Sequence, residues 1–274
     1  CFAFVPRLAR FTCSRKTLIG YFKRVWIPRI GGKTGKRPPM LRQSRWSHWI
    51  AAACLAVSAT VAGADEHPVV VELFTSQGCA SCPAADAILA ELGEQENVIP
   101  LALHVDYWDY IGWKDNFADP VFTKRQKGYA RSAGRRSIYT PQMMVGGVYD
   151  VVGSRPMKVV DAIRHASEKP AQARVSLSRD GDTLQITAQP LSALPETVVQ
   201  MVRYSPRERV DILDGENAGR EITYTHVAHG WQVLGVWNGD ADLEMNVALE
   251  GSDPVVVMLQ EKDYGAILAA ARLR

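Results

Sequence analysis

The stretch whose reading decides the fold is VVVELFTSQGCASCPAADAILAEL, residues 69–92. An apolar run from Val69 to Phe74 leads into a polar turn that carries Gly78. Cys79 and Cys82 follow, with two residues between them, and then Ile88, Leu89 and Leu92 recur at helical spacing. The pattern reads as strand, turn with a dithiol, helix. The helix start matters for chemistry, because its unpaired N–H groups and the positive end of its dipole favour a thiolate. A second cysteine three positions on lies one helical turn deeper, close enough to close a small disulfide ring. Thiol–disulfide exchange needs one exposed attacking thiol of low pKa and one sheltered resolving thiol, and this spacing supplies both.

Moving outward, Val98 to Val105 (VIPLALHV) reads as a second buried, parallel strand, so residues 69–105 form a βαβ unit. An aromatic-rich loop, DYWDYIGWKDNF, starts at Asp106. Asp119 is a good N-cap and Pro120 suits the first helical position. The helix they open runs to about Arg131, with Lys124, Arg125, Lys127 and Arg131 expected on its wet side. Tyr139 to Tyr149 reads as a strand, a turn at Gly146-Gly147 and a return strand. Arg155-Pro156 opens a last helix, MKVVDAIRHASEK, with Val159, Val160 and Ile163 expected on its buried side.

This order of elements resembles a thioredoxin fold. More closely, ELFTSQGCASCPAAD (72–86), HVDYWDYIGW (104–113) and YTPQMMVGG (139–147) are similar to a family of secreted bacterial thioredoxin-like proteins catalogued as a domain of unknown function. The resemblance covers about residues 67–273. It implies that Pro141 is a cis proline packed against the dithiol. It also implies that Glu72, in the first strand, lies beneath the dithiol and shuttles protons to the resolving cysteine. Burial would raise its pKa and suit that task. The residues alone leave a second reading of Glu72, a strand-end carboxylate reaching solvent. The chain departs from ordinary thioredoxin at the Ala-Ser between the cysteines, at Pro83 after them, in the absence of a tryptophan before Cys79 and in the long gap from Cys82 to Pro141.

The candidate roles follow. Cys79 is the nucleophile and Cys82 the resolving thiol; the competing reading is a structural disulfide. A loop this small restricts the unfolded chain little, which weakens that competitor. Pro141 shapes the substrate groove and keeps a backbone N–H away from it. Thr140, Trp108 and Trp113 are candidate client-binding residues. The aromatic loop either lines a groove for an unfolded or peptide-like client or forms a second small core. Met143, Met144 and His104 raise a copper alternative, since two thiolates with a soft methionine or a histidine can hold Cu(I). Strand methionines are more often core, so no metal or other cofactor is expected beyond the protein dithiol.

Charge and cysteine usage narrow the setting. Residues 1–64 carry 12 Lys/Arg and no Asp or Glu. The rest holds 20 Lys/Arg against 29 Asp/Glu, and this acidic balance argues against nucleic acid as a partner. Cys1, Cys13 and Cys54 lie in the N-terminal part, so Cys79 and Cys82 are the only cysteines from residue 65 onward. They lack the second CxxC or paired histidines of a structural zinc site.

Residues 40–64 read as a cleaved signal peptide. Met40, Arg42 and Arg45 precede a run of small and apolar residues from Ile50 to Ala62, and Ala62-Gly63-Ala64 is a cleavage site before Asp65. The run is too short and alanine-rich for a membrane span. Residues 1–39 are expected to be an upstream reading-frame extension absent from the natural product. The location expected is therefore periplasmic or secreted, where a disulfide persists.

After a thioredoxin-like domain at 65–169, the pattern changes to period two at residue 170. Candidate strands at 173–177, 183–188, 198–204, 221–227, 229–236, 243–249 and 255–260 suggest an antiparallel β-sandwich-like part at 170–274. The tail YGAILAAARLR reads as a short helix or a strand end. His226 and His229 lack a third metal ligand. The expected task of this half is homodimerisation or presenting a client to the dithiol; equally, it packs on the thioredoxin-like unit as one body. The function expected for the whole is a thiol–disulfide oxidoreductase acting on protein or peptide thiol clients, with a redox partner of its own. The alternative is a non-catalytic binding protein with a permanent disulfide, and copper handling is the third reading.

Overall fold

A computed structural model of the chain describes residues 67–274. The expected signal peptide (40–64) and the segment before it lie outside the described residues.

The fold is built from β1 (Val69–Thr75), α1 (Pro83–Leu92) and β2 (Val98–His104). β1 and β2 are parallel, with Val69 opposite Val98 and Thr75 opposite His104. Every residue of both strands is buried, as near-continuous apolar runs require when a sheet is covered on both faces. On its other side β1 pairs antiparallel with β3 (Gln142–Val145), which returns as β4 (Tyr149–Val152). The turn between them holds Gly146 and Gly147 at φ 59° and 73°, a region that glycine enters without steric cost. α2 (Pro120–Ser132) starts as expected, with the Asp119 carboxylate accepting from the Val121 N–H at 2.8 Å. α3 spans Pro156–Ser167.

The remaining strands are β5 (Ala173–Asp180), β6 (Thr183–Pro190), β7 (Thr197–Ile212), β8 (Arg220–Trp237), β9 (Leu243–Ala248), β10 (Val255–Glu261) and β11 (Ile267–Leu273). Four of them do not stand apart as half of a sandwich. They continue the first sheet, in the order β11-β10-β7-β8-β2-β1-β3-β4, joined where Val227 of β8 lies parallel to Ala102 of β2. The other three form a second, antiparallel sheet, β5-β6-β9. Two of the expected strands, 221–227 and 229–236, are one strand, and the tail is a strand rather than a helix. Alternation identifies strands but not their neighbours, which is why the shared sheet is invisible in the sequence. The result is a mixed α/β fold of one eight-stranded and one three-stranded sheet.

Side-chain alternation sorts the layers. Val69, Val71 and Leu73 face α1 and α3, packing with Ala85, Leu89 and Ile163. Val70 and Phe74 face the other way, with Phe122 and Tyr129 of α2 and with Val202, Val256 and Met258 of the later strands. The small sheet covers the first face of those later strands, where Leu184 and Ile186 meet Val199, Val257 and Leu259. Two helical faces differ from expectation. Arg125 is buried on α2 while Lys124, Lys127 and Arg131 stay wet, because an acid in β1 awaits it. On α3 Val160 is exposed, and Val159, Ala162, Ile163 and Ala166 form the buried stripe.

β7 and β8 form a ribbon far longer than the sheet. β10 pairs with β7 only from Thr197 to Arg203, and β2 meets β8 only at Val227. The ribbon pairs on to Ile212 and Arg220. It leaves the sheet at His226, whose backbone sits at φ 54° and whose ring lies against Gly93, just past α1. A Cβ on Gly93 would come within 2.4 Å of that ring, so glycine is what lets the ribbon cross there.

Candidate functional site

Cys79 and Cys82 form a disulfide, with their Cα atoms 5.4 Å apart. Both precede α1 rather than opening it. Cys82 is the N-cap, and Pro83 takes the first helical position, where its missing N–H costs nothing. Cys79 lies in the turn before, its carbonyl accepting from the Cys82 N–H at 3.1 Å. The expected exposed attacker is covered in this state: Cys79 is 1% exposed and Cys82 0%.

Three segments cover the pair. The Thr140 hydroxyl lies 3.3 Å from the Cys79 sulfur as a donor, and it accepts from the Trp108 indole N–H at 2.8 Å. Pro141 is buried, and the Thr140–Pro141 bond is cis. Pro141 reaches α1 through Gly153, where an added Cβ would sit 3.0 Å from Ala85 and 3.3 Å from Pro141. Trp113 donates its indole N–H to the Gln77 side chain at 2.8 Å, bracing the turn before Cys79. The structure thus brings Thr140 to the dithiol, with Trp108 bonded to that hydroxyl and Pro141 next to it in the chain, and places Trp113 one step behind.

The third segment was not legible in the sequence. The tip of the β7–β8 ribbon reaches the dithiol turn from 138 residues away. Asn217 donates its amide to the Gln77 carbonyl at 2.8 Å and the Cys79 carbonyl at 3.1 Å. Arg220 holds the other end of that amide, Nη1 to Oδ1 at 2.9 Å. Glu216 accepts from the Ala80 N–H at 3.3 Å, and Gly215 packs against the Trp113 Cβ.

Glu72 sits on the opposite face of the sheet from α1, between Val71 and Leu73, which pack on that helix. It is fully buried, and it accepts from Arg125 Nε at 2.5 Å, Arg125 Nη2 at 3.1 Å and the Tyr129 hydroxyl at 2.5 Å. Arg125 also donates to Gln200 and Gln260, and its guanidinium stacks 4.3 Å from the Trp231 ring. This cluster locks α2 to β1, β7, β8 and β10.

The buried acid on the dithiol's own helix is Asp86. Its N–H donates to the Cys82 carbonyl at 3.0 Å, and its Oδ1 accepts from the Thr75 hydroxyl at 2.9 Å. Burial pushes its carboxyl up to about 7, against the lowering effects of His104 and Thr75. Oδ2 has no hydrogen-bond partner, and neither has His104 Nε2. His104 lies on the same face, opposite Thr75, with Nδ1 bonded to Asp115 Oδ2 at 2.8 Å. Burial pushes Asp115 up, but His104 and the Gln77 and Phe117 N–H groups outweigh it and hold that carboxylate below its usual range. Tyr224 of the ribbon covers His104, their rings 4.9 Å apart. Asp86 had a sequence signal, an acid within the Cys82, Ala85, Leu89 stripe of α1.

The residues of the copper reading have other commitments. Met143 packs with Leu73 and Leu89, Met144 points to the opposite face, and His104 is held by Asp115. His229 pairs with Asp253 at 3.1 Å, apart from His226 against Gly93. Among the described residues no group of three or more His, Cys, Asp or Glu side chains is placed to hold a metal ion, and no helix is long and apolar enough to cross a membrane.

The sequence from 70 to 260 matches the family model described as a protein of unknown function, DUF1223. This chain belongs to that family. The match takes in the dithiol turn, the aromatic loop, Pro141 and the whole ribbon, so the family's shared unit includes the covering segment as well as the cysteines. Among solved structures, the chain is similar to the X-ray crystal structure of a protein from Agrobacterium tumefaciens. The two are 31% identical, with a TM-score of 0.66 over 75% of this chain and 93% of that one. It is also similar in fold to HBP35 of Porphyromonas gingivalis, with 16% identity and a TM-score of 0.54 over 76% of this chain and 74% of that one. No curated protein matches the chain.

Proposed function

We propose that this protein is a thiol–disulfide exchange protein of the periplasm or the secreted fraction, built on a thioredoxin-like βαβ core. One observation carries the reading. The Cys79–Cys82 pair stands at the start of α1, and the hydroxyl of Thr140, next to Pro141, addresses the Cys79 sulfur at 3.3 Å. A donor at that place stabilises a thiolate on Cys79 once the bond opens.

The chemistry balances without a cofactor. A client thiolate attacks the Cys79 sulfur, a bond forms between them, and the Cys79–Cys82 bond breaks. Cys82 leaves as a thiolate and takes a proton, for which Asp86, one turn along α1, is the buried acid at hand. The client's second thiolate then displaces Cys79, and the client leaves as a disulfide. Two electrons have passed from client to protein. The reverse sequence, with Cys79 attacking and Cys82 resolving, reduces a client. The signal-peptide pattern at 40–64 supports an oxidising compartment, and a separate redox partner resets the pair.

A second reading, a binding protein with a permanent disulfide, draws on the 1% exposure of Cys79 under the ribbon tip. Equilibration of the mature protein in defined thiol buffers separates the two. A reduction potential of roughly −270 to −120 mV is expected for exchange. A value below about −300 mV marks a stable staple and overturns the exchange reading.

A further inference from the structure

We propose that the β7–β8 ribbon tip is a strap that holds the Cys79–Cys82 disulfide shut, and that clients reach Cys79 only when the strap lifts. The inference rests on the exchange reading for its purpose, but not for its geometry.

The ribbon has more strand than the sheet uses. Beyond Val227 on β8 and Arg203 on β7, no other strand among the described residues pairs with either. That free length starts where the backbone adopts φ 54° at His226, a conformation uncommon for a residue other than glycine. Nearer the sheet the pairing shifts register, where Met201 and Arg203 face Gln232 and His229, so this irregularity and the one at His226 lie at two successive levels of the ribbon. From there the ribbon runs past Tyr224, over His104, to Asn217 on the dithiol turn.

The tip is fastened to the dithiol turn by hydrogen bonds. Asn217 holds the Gln77 and Cys79 carbonyls, and Glu216 holds the Ala80 N–H. Water can replace each of these bonds when the tip lifts. Of the tip's two large apolar residues, Ile212 is buried, whereas Leu213 is 77% exposed and stands clear of the grip. The fastening is nonetheless specific. Asn217 is 1% exposed, and Arg220 fixes which end of its amide faces the carbonyls.

What the strap covers is a surface site rather than core. Ala80 and Ser81, between the cysteines, are exposed, while the Cys79 sulfur beside them is closed off. An attacking thiolate must approach that sulfur in line with the bond it breaks. In the closed form Thr140 lies against that sulfur, and the tip is bonded to the backbone on both sides of it.

The test is the rate at which the disulfide of the mature protein opens. Wild type, Asn217→Ala, Asn217→Asp and the control Leu213→Ser are exposed to a small phosphine and to a protein dithiol. Free thiols are then trapped with a maleimide and counted by mass. Asn217→Asp sets a carboxylate against two carbonyls and should lift the tip most. We expect opening by the protein dithiol to rise roughly tenfold in Asn217→Ala and further in Asn217→Asp. Leu213→Ser should match wild type, and the gain with the small phosphine should be weaker. Far-UV and near-UV circular dichroism verify that each variant is folded; if Asn217→Ala is not, Glu216→Gln takes its place and should show a smaller gain. Equal rates in wild type and folded variants overturn the strap. Faster opening combined with a potential outside the range of exchange proteins keeps the strap and overturns the exchange reading instead.

Discussion

The guanidinium of Arg125 lies edge-on against the carboxylate of Glu72, Nε to Oε1 and Nη2 to Oε2, inside the protein between α2 and β1. Removing one partner leaves a buried charge without its counterpart. Arg125→Met should therefore cost about 3–5 kcal/mol, read from urea unfolding, whereas Arg125→Met with Glu72→Leu should recover most of it. Because Glu72 faces away from α1, Glu72→Gln should lower stability yet leave the reduction potential of the cysteine pair where it was. A shifted potential in that variant would return Glu72 to the role of acid for the dithiol.

Asp86 sets a pH dependence of stability. Its carboxyl is pushed up to about 7 by burial, well above its unfolded value, so the folded state holds this proton more tightly than the unfolded chain. The contribution is fully present below about pH 4 and is lost as pH rises through about 7. Asp86→Asn removes the titration. Relative to the variant, wild type should become less stable between pH 5 and pH 8, by an amount on the order of 2–3 kcal/mol at the outside. Urea midpoints of both proteins at the two pH values check this.

Thr140→Val keeps the shape of the side chain and deletes the hydroxyl that addresses Cys79. In the reduced protein the Cys79 thiol should then bind its proton roughly tenfold more tightly. The thiolate absorbance near 240 nm, followed against pH, reads this directly. An unchanged titration would mean that the hydroxyl serves Trp108 alone, from which it accepts at 2.8 Å.

Gly128 on α2 lies under Tyr264, and an added Cβ would stand 2.3 Å from that ring. Tyr264 and its neighbour Asp263 have backbone φ of 62° and 57°, so the ring has little freedom to withdraw. Gly128→Ala, usually favourable in a helix, should destabilise by about 1–3 kcal/mol in thermal melts.

The first half of the chain was legible because its signals are local. Asp119-Pro120 announces the start of α2, Gly146-Gly147 the hairpin, and the spacing of Cys79 and Cys82 the disulfide. Arg125 was misassigned to solvent because helical spacing alone cannot show that Glu72 lies opposite. The two residues are 53 positions apart, and only the packed sheet brings them together. Asp86 is visible as an acid within an apolar stripe, whereas the role expected of Glu72 comes from the resemblance, which does not show which face of β1 carries it. Asn217 carried no signal, since an amide in a Gly-rich turn reads as turn chemistry until the ribbon's length and bend are known. The same blindness hid the continuation of the first sheet into β8, β7, β10 and β11.

The ribbon's place late in the chain has a consequence for biogenesis. Synthesis runs from the N-terminus, and Asn217 emerges 138 residues after the Cys79 carbonyl it will cover. During that interval the growing chain presents both cysteines uncovered to whatever oxidant surrounds it. The pair is therefore open to its first oxidation before the protein has the segment with which to guard it.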